Sequence, residues 1–269
     1  MNFDLNSLIL LFAAIVAGLI GSLVGLGGGI IIIPTLTLIL GVDIHFAIGA
    51  SLVSVLANSA AAASRYVKEK ITNIRLAVLL ELASASGAII GALIALKTPP
   101  HFLFILFGVM LIVCSVLMWK GSDPNLSQKN EAHPLANKLK LNTPEYNVSR
   151  VPQGLAVMTL AGIVSALMGL GGGIFKVLAL DRLMKLPIKA STATSNFMLG
   201  VTAAAGAATY FLHGYITAPT ATPVAIGNFV GALIGSRLMM ILPDQVIRKV
   251  FVVVLTLIAL QMIWKGLSL

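Results

Sequence analysis

The chain carries one cysteine, Cys114, so it can form no internal disulfide and no paired-cysteine metal site. Cys114 itself lies in an apolar run and reads as a small hydrophobe. Charge is scarce as well. Only 10% of the 269 residues are Asp, Glu, Lys or Arg, against about 25% in an ordinary soluble domain. So little polarity cannot cover a water-facing surface, and composition argues against a soluble globular fold. Catalytic signatures are missing. No G-x-x-x-x-G-K-[ST] loop is present to hold ATP, no H-E-x-x-H pair to hold zinc and no G-x-S-x-G nucleophile turn. His45, His101, His133 and His213 fall in loops or at helix ends. Residues 1–26 have no Lys or Arg ahead of their apolar run, so they read as part of the fold rather than as a secretory signal. The chain is therefore not read as an enzyme, and it calls for no cofactor and no metal.

What is abundant is apolar length. Hydrophobic residues make up 58% of the chain, and apolar runs of about 20 residues recur along it, the signature of a polytopic helical membrane protein. A β-barrel would need alternating segments of about ten residues, and these runs are continuous. Lys and Arg outnumber Asp and Glu by 18 to 9. No basic cluster is interleaved with aromatics, which argues against nucleic acid and for loops facing an anionic cytoplasmic leaflet.

The sequence repeats itself without gaps at a spacing of 144 residues. Gly25-Leu26-Gly27-Gly28-Gly29-Ile30 returns as Gly169-Leu170-Gly171-Gly172-Gly173-Ile174. In the same register Gly18 meets Gly162, Ser51 meets Ser195, Tyr66 meets Tyr210, Pro99 meets Pro243 and Phe107 meets Phe251. This organisation predicts a first repeat at 1–120, a polar cytoplasmic linker at 121–150, partly disordered on the membrane surface, and a second repeat at 151–269, all within one membrane domain.

Each half offers three runs long enough to span: 46–67, 74–96 and 102–118, then 190–212, 219–242 and 246–264. Ahead of each trio stands an apolar arm, the glycine block, and a second arm at 30–40 or 174–184. Twelve residues of helix reach roughly 18 Å, short of a bilayer core of about 30 Å. The expected object is a glycine-broken hairpin that enters and returns on one side, with tilted full crossings as the alternative. Each half then crosses an odd number of times, and the halves are inverted. That topology gathers fifteen of the eighteen Lys and Arg on one side, leaves Lys97 and Lys265 opposite, and puts Lys176 inside the membrane. Both termini fall on the periplasmic or extracellular side. The predicted fold class is all-α and polytopic, with two inverted-topology repeats, each a glycine-broken helical hairpin plus three transmembrane helices.

Glycine breaks at matching places in two hydrophobic halves point to a transporter's binding site. Gly27, Gly28 and Gly29, with Gly171, Gly172 and Gly173, permit positive φ and close backbone approach. Two opposed half-helices starting there would turn free N–H groups and positive dipole ends toward each other, which suits an anion. Lys176, in the first turn of the second half-helix, would face that anion; the alternatives are snorkelling or pairing with Asp181. Its repeat mate is Ile32, so the charge is not demanded by the fold. Ser51, Ser54 and Asn58 share one helix face, and the equivalent helix carries Thr194, Ser195 and Asn196. Of these, Ser51, Thr194, Ser195 and Asn196 are the candidate donors to oxyanion oxygens. Glu81 is an acid deep in a spanning run, a candidate for ion coupling or for pairing with a Lys or Arg. Gly87, Gly91, Gly231 and Gly235 read as helix-packing positions, and Pro34 as structural, near the start of the first half-helix.

The block Gly18-x-x-Gly21-x-x-x-Gly25-Leu-Gly27-Gly28-Gly29-x-x-x-x-Pro34, its echo at 162–173, and Ala193-Thr194-Ser195-Asn196 resemble the TauE/SafE family, also called the sulfite exporter or TSUP family. The resemblance spans both repeats. It implies secondary transport of small organic or inorganic anions, sulfite and sulfonates among them, without a nucleotide site. Leu178 stands where the first copy has Pro34, and Ala50-Ser51-Leu52 stands opposite Thr194-Ser195-Asn196, so the site is expected to be asymmetric. The reading is a secondary transporter of a small anion, probed by sulfite or sulfoacetate, in the inner membrane. An anion channel and a non-transporting membrane scaffold are the alternatives. Its partners are that anion and the lipid bilayer, not nucleic acid, and association with further copies of the chain is left open.

Overall fold

The computed structural model describes residues 5–119, 134–143 and 146–267. The described residues form helices throughout. In chain order these are α1 (Leu5–Val24), α2 (Gly29–Pro34), α3 (Ile44–Lys68), α4 (Ile74–Ala95), α5 (Pro100–Trp119), a short α6 (Pro134–Lys138), α7 (Val151–Met168), α8 (Gly173–Leu178), α9 (Ile188–Leu212), α10 (Ala218–Ile241) and α11 (Asp244–Leu267). A π-helical turn extends α2 over Thr35–Ile39 and α8 over Ala179–Leu183.

The sequence repeat is a structural repeat. Adding 144 to the bounds of α2, its π turn and α3 returns those of α8, its π turn and α9. Left-handed backbone recurs in the same register: Gly25, Gly27 and Gly28 match Gly169, Gly171 and Gly172, Gly41 matches Lys185, and Lys70 matches Gly214. Pro34 is a correction to the sequence reading. It closes α2 rather than opening it, and Leu178 ends α8 with the same π turn. The proline is therefore not what drives the change in helix pitch. Hydroxyls of Thr35 and Thr37 donate to the Ile31 and Ile33 carbonyls at 2.7 and 2.8 Å, supporting the turn in the first copy alone.

Among the described residues, four helices are both long and apolar enough to cross a bilayer: α3, α4, α7 and α10. α9 equals α3 in length but spends its first turns on Ser191, Thr192, Thr194, Ser195 and Asn196. α7 (18 residues) and α1 (20 residues) are the first arms of the hairpins, and each covers roughly 27–30 Å at 1.5 Å per residue. The second arms stop after eleven residues, Gly29–Ile39 in the first copy. The hairpins thus pair one arm of spanning length with one half-length arm.

Each half inserts its helices into the other. α1 packs on α10, α7 on α4, α3 on both α9 and α10, and α5 on α11. Glycines allow the close contacts. Leu11, Ile15 and Leu19 of α1 lie in that order against Gly227, Gly231 and Gly235 of α10, and Thr159 and Ile163 of α7 against Gly87 and Gly91 of α4. The two pairs therefore run parallel, and all four glycines expected to pack do so. α3 and α9 run in opposite directions, with Leu52 meeting Gly206, Leu56 meeting Gly200 and Ser59 meeting Asn196. α5 and α11 do likewise, Gly108 lying against Ile263 and Ser115 against Thr256. Outward-facing apolar side chains such as Phe12, Leu82, Leu160 and Trp264 are more than half exposed. Such a surface suits lipid and would be an aggregation hazard in water.

The linker differs in part from a loose surface loop. Its described end folds back as α6 and an extended strap, with Ala136, Leu141, Tyr146 and Val148 buried against Leu76, Leu180, Met184 and Leu186. Asn73 donates to the Leu141 carbonyl at 2.8 Å, and Arg75 to the Lys140 carbonyl at 3.3 Å. Basic residues of the α3–α4 turn, the strap and the turn before α9 thus share one end of the molecule. Residues 120–133 and 144–145, the rest of the linker, and the side chain of Cys114 lie outside the described residues.

Candidate functional site

The two glycine tips meet at the centre of the molecule. Each spanning arm ends with a break: Leu26 N–H returns to the Gly21 carbonyl at 2.7 Å, and Leu170 N–H to the Ser165 carbonyl at 3.1 Å. Gly28 (φ 81°) and Gly172 (φ 79°) then start the short arms, a backbone region that side chains disfavour. A Cβ on Gly29 would come within 2.8 Å of the Gly169 carbonyl oxygen, and one on Gly173 would strike the Gly25 carbonyl. Gly27 and Gly171 both rest on Val55 and Leu199, which are themselves repeat mates. All the tip glycines are buried.

Serines tie the tips across the repeats. Ser51 on α3 donates to the Gly169 carbonyl at 2.6 Å. Its mate Ser195 on α9 reaches the Gly25 carbonyl at 3.2 Å and the Gly173 carbonyl at 3.3 Å. These hydroxyls are where the sequence put them, but here they donate to backbone carbonyls. Asn196 donates from Nδ2 to the carbonyls of Ser22 and Thr192 at 3.1 and 3.0 Å, fastening the end of α1. Its Oδ1 and the Thr192 hydroxyl are buried with no hydrogen-bond partner among the described residues. The Thr194 hydroxyl accepts the Asn73 N–H at 3.1 Å, from the turn before α4.

Lys176 and Glu81 find each other. The Lys176 ammonium is fully buried and lies 2.9 Å from Glu81 Oε2, with Thr202 bonded to both. Ser84 completes the group at 3.0 Å from Thr202 Oγ1. Of the alternatives drawn from sequence, Glu81 pairs with a lysine, and the partner of Lys176 is Glu81 rather than Asp181, which has Arg182 3.9 Å away. Thr202 sits one turn beyond Leu199 on α9, so the ion pair is next to the glycine tips.

The corresponding place in the other half is neutral. Ile32 and Ala225 stand where Lys176 and Glu81 would be, while Asn58 and Asn228 occupy the positions of Thr202 and Ser84. Asn58 donates to Asn228 Oδ1 at 2.8 Å and to the Gly18 carbonyl at 3.1 Å. Asn228 in turn donates to the Gly27 carbonyl at 2.9 Å, to the Ser54 carbonyl at 2.9 Å and to the Ser54 hydroxyl at 2.7 Å. In one half, amides bond the tip at the Gly27 carbonyl; the matching place in the other half holds a salt bridge. Asn228 was not singled out from sequence, and Thr202 stood only as the repeat mate of Asn58 on the polar helix face, outside the candidate donors. The available signal was a lone amide in the apolar run of α10, and the fact that Asn58 and Asn228 pair with the same positions as Thr202 and Ser84.

The sequence profile described as Sulfite exporter TauE/SafE matches residues 10–262. Among known proteins, the chain is 26% identical over 271 residues to the "Probable membrane transporter protein YunE" of Bacillus subtilis (strain 168), covering 98% of this chain and 99% of that one. It is 26% identical to a "Probable membrane transporter protein" of Xylella fastidiosa (strain 9a5c), covering 93% of each. It is 22% identical to the "Probable membrane transporter protein YdhB" of Bacillus subtilis (strain 168), covering 90% of this chain and 94% of the relative. No solved structure matches.

Proposed function

The chain belongs to the Sulfite exporter TauE/SafE family, and from that membership we propose that this multi-pass membrane transporter moves a small sulfur oxyanion or organosulfonate across the inner membrane by secondary transport. Sulfite and sulfoacetate are the probe substrates. The observation that carries the reading is the meeting of the two glycine tips, bonded crosswise by Ser51 and Ser195. The opposite senses of α3 against α9, and of α5 against α11, support two inverted halves that rock about those tips. Full burial of the tips favours alternating access over a standing pore.

Anion binding at the tips draws on Gly27–Gly29 and Gly171–Gly173 backbone, on the hydroxyls of Ser51 and Ser195, and on Lys176. The unpartnered Thr192 hydroxyl beside them donates as well, and Asn196 steadies the site by fastening the end of α1 through its Nδ2. Thr194 acts at one remove, through Asn73. Lys176 is held by Glu81 in the present conformation. An anion that takes Lys176 as its counter-ion leaves Glu81 in a dry site, where an unpaired charge is costly. Glu81 then takes up a proton, and one proton moves with one anion charge. The basic end carrying the linker faces the cytoplasm, and both termini face the other side.

The test is flux of radiolabelled sulfite and sulfoacetate into proteoliposomes. The expected result is uptake that an inward proton gradient accelerates. Absence of flux for any small anion would refute the reading.

A further inference from the structure

One pair of repeat mates is identical in residue and different in bonding. Tyr66 and Tyr210 stand near the ends of α3 and α9, and both are fully buried. Because α3 and α9 are antiparallel, Tyr66 lies toward the basic end that carries the linker and Tyr210 toward the other. Their backbones agree: the N–H five residues on, from Ile71 or Tyr215, returns to the tyrosine carbonyl at 3.1 or 3.0 Å. Their phenols do not. Tyr66 donates to the Ser22 carbonyl at 2.9 Å, in the last turn of α1. The Tyr210 hydroxyl is buried with no hydrogen-bond partner among the described residues, a state that folded chains avoid.

The repeat identifies the acceptor that Tyr210 lacks. Ser22 corresponds to Ala166, in the last turn of α7. That turn is close by: a Cβ on Gly206, one turn before Tyr210, would lie 3.5 Å from the Ala166 Cβ. The acceptor is main chain, so exchanging Ser22 for Ala166 removes nothing that the phenol needs. The missing bond is a difference of arrangement and not of residue type. Two neighbours mark the same difference. Tyr215, where the first half has Ile71, sets its ring 6.4 Å from that of Tyr210 at an angle of 71°. The Ser22 carbonyl takes a second donor, Asn196 Nδ2 at 3.1 Å, whereas Leu52, the mate of Asn196, has no donor to offer Ala166. The bond at Ser22 is therefore the better supported of the two.

We infer that Tyr66 and Tyr210 are alternate latches on the two spanning arms. Tyr66 holds the end of α1 in the conformation described. When the inverted halves rock, Tyr66 releases the Ser22 carbonyl and Tyr210 takes the Ala166 carbonyl, so each half adopts the bonding its mate had before. The latches deepen the transport reading and rest on it. Removing a hydroxyl should then shift the balance of two conformations, in opposite directions for the two tyrosines, beyond any loss of stability.

Spin labels read that balance without transport. On a Cys114→Ala background, one protein carries Lys70→Cys and Lys185→Cys at the linker end, and a second carries their repeat mates Gly214→Cys and Gly41→Cys at the other end. All four positions have left-handed backbone, and two of them already bear side chains. Double electron–electron resonance in detergent should give each pair a main and a minor distance, with the two ends changing in opposite senses. Tyr66→Phe removes a bond of the main state and raises the minor-to-main ratio about three- to tenfold. Adding Tyr210→Phe removes the bond of the minor state and returns the ratio to within about twofold of wild type. Unchanged distances in Tyr66→Phe, or a double variant that matches Tyr66→Phe, would overturn the latches even if wild-type protein transports sulfite. Failed sulfite and sulfoacetate flux with distances that exchange as expected would instead overturn the transport reading and leave a two-state latch standing.

Discussion

Replacing Lys176 and Glu81 one at a time and then together separates a buried ion pair from an ornamental one. The repeat supplies the substitutions, because Ile32 and Ala225 occupy the same two places in the other half. Lys176→Ile alone leaves the Glu81 carboxylate, 8% exposed at its side chain, without its cation. Glu81→Ala alone leaves a fully buried ammonium. Breaking a buried pair from one side costs about 3–5 kcal/mol, whereas exchanging both partners for apolar groups is often neutral or stabilising. The double variant still deprives Thr202 of its two charged partners, for which about 1 kcal/mol is a fair allowance. It should therefore lie within about 2 kcal/mol of wild type. For a chain of this size each kcal/mol moves the melting temperature by about 2–4 °C. Each single variant should then melt roughly 6–20 °C lower, and the double should recover most of that loss. Thermal unfolding followed by circular dichroism in detergent reads all four proteins; with the two singles together costing about 6–10 kcal/mol and the double about 1–2, the cycle returns a coupling energy of about 4–9 kcal/mol. Single variants that melt with wild type would refute a dry, mutually dependent pair. A folded double variant that keeps full proton-gradient dependence of sulfite uptake would refute the coupling role while leaving the stability argument intact.

Three further outcomes follow from the geometry. Gly28→Ala puts a Cβ 2.6 Å from Asn228 Oδ1 at φ 81°; it should cost about 1–2 kcal/mol in strain alone and lower flux, while Gly41→Ala, where a Cβ meets nothing within 4 Å, should keep near-wild-type flux. Asn228→Leu removes the donor shared by the Gly27 carbonyl and Ser54, and melting should report a loss of about 1–3 kcal/mol; Ser84→Ala, at the repeat mate, should cost less. A reporter active only outside the cytoplasm should work when fused to the C-terminus and fail when inserted in the linker, and the reverse pattern would overturn the orientation.

Much of the architecture was legible before any coordinates. Apolar run length called for helices, since no other element satisfies its own backbone in lipid except a closed barrel. The 144-residue echo located both hairpins, and the structure repeats their bounds residue for residue in α2, α3, α8 and α9. Triple glycine was a sound sign of a break, because positive φ and carbonyl approach at Gly28 and Gly172 leave no room for a side chain. Individual roles were harder to read. Thr194 belongs to the same triplet as Ser195, yet successive helical residues point about 100° apart, so one faces Asn73 and the other the tips.

Local pattern and the repeat register thus specified helix positions, the glycine tips, their helix-packing glycines and the serines beside them, because each depends on backbone geometry encoded within a few residues. Partnerships across the molecule were settled by packing. Lys176 meets Glu81 across 95 residues of chain, and Asn58 meets Asn228 across 170, because α4 and α8 both pack on α9, and α3 packs on α10, within an apolar interior. There each buried polar group needs a partner within about 3 Å, and sequence spacing does not say which helix will provide it.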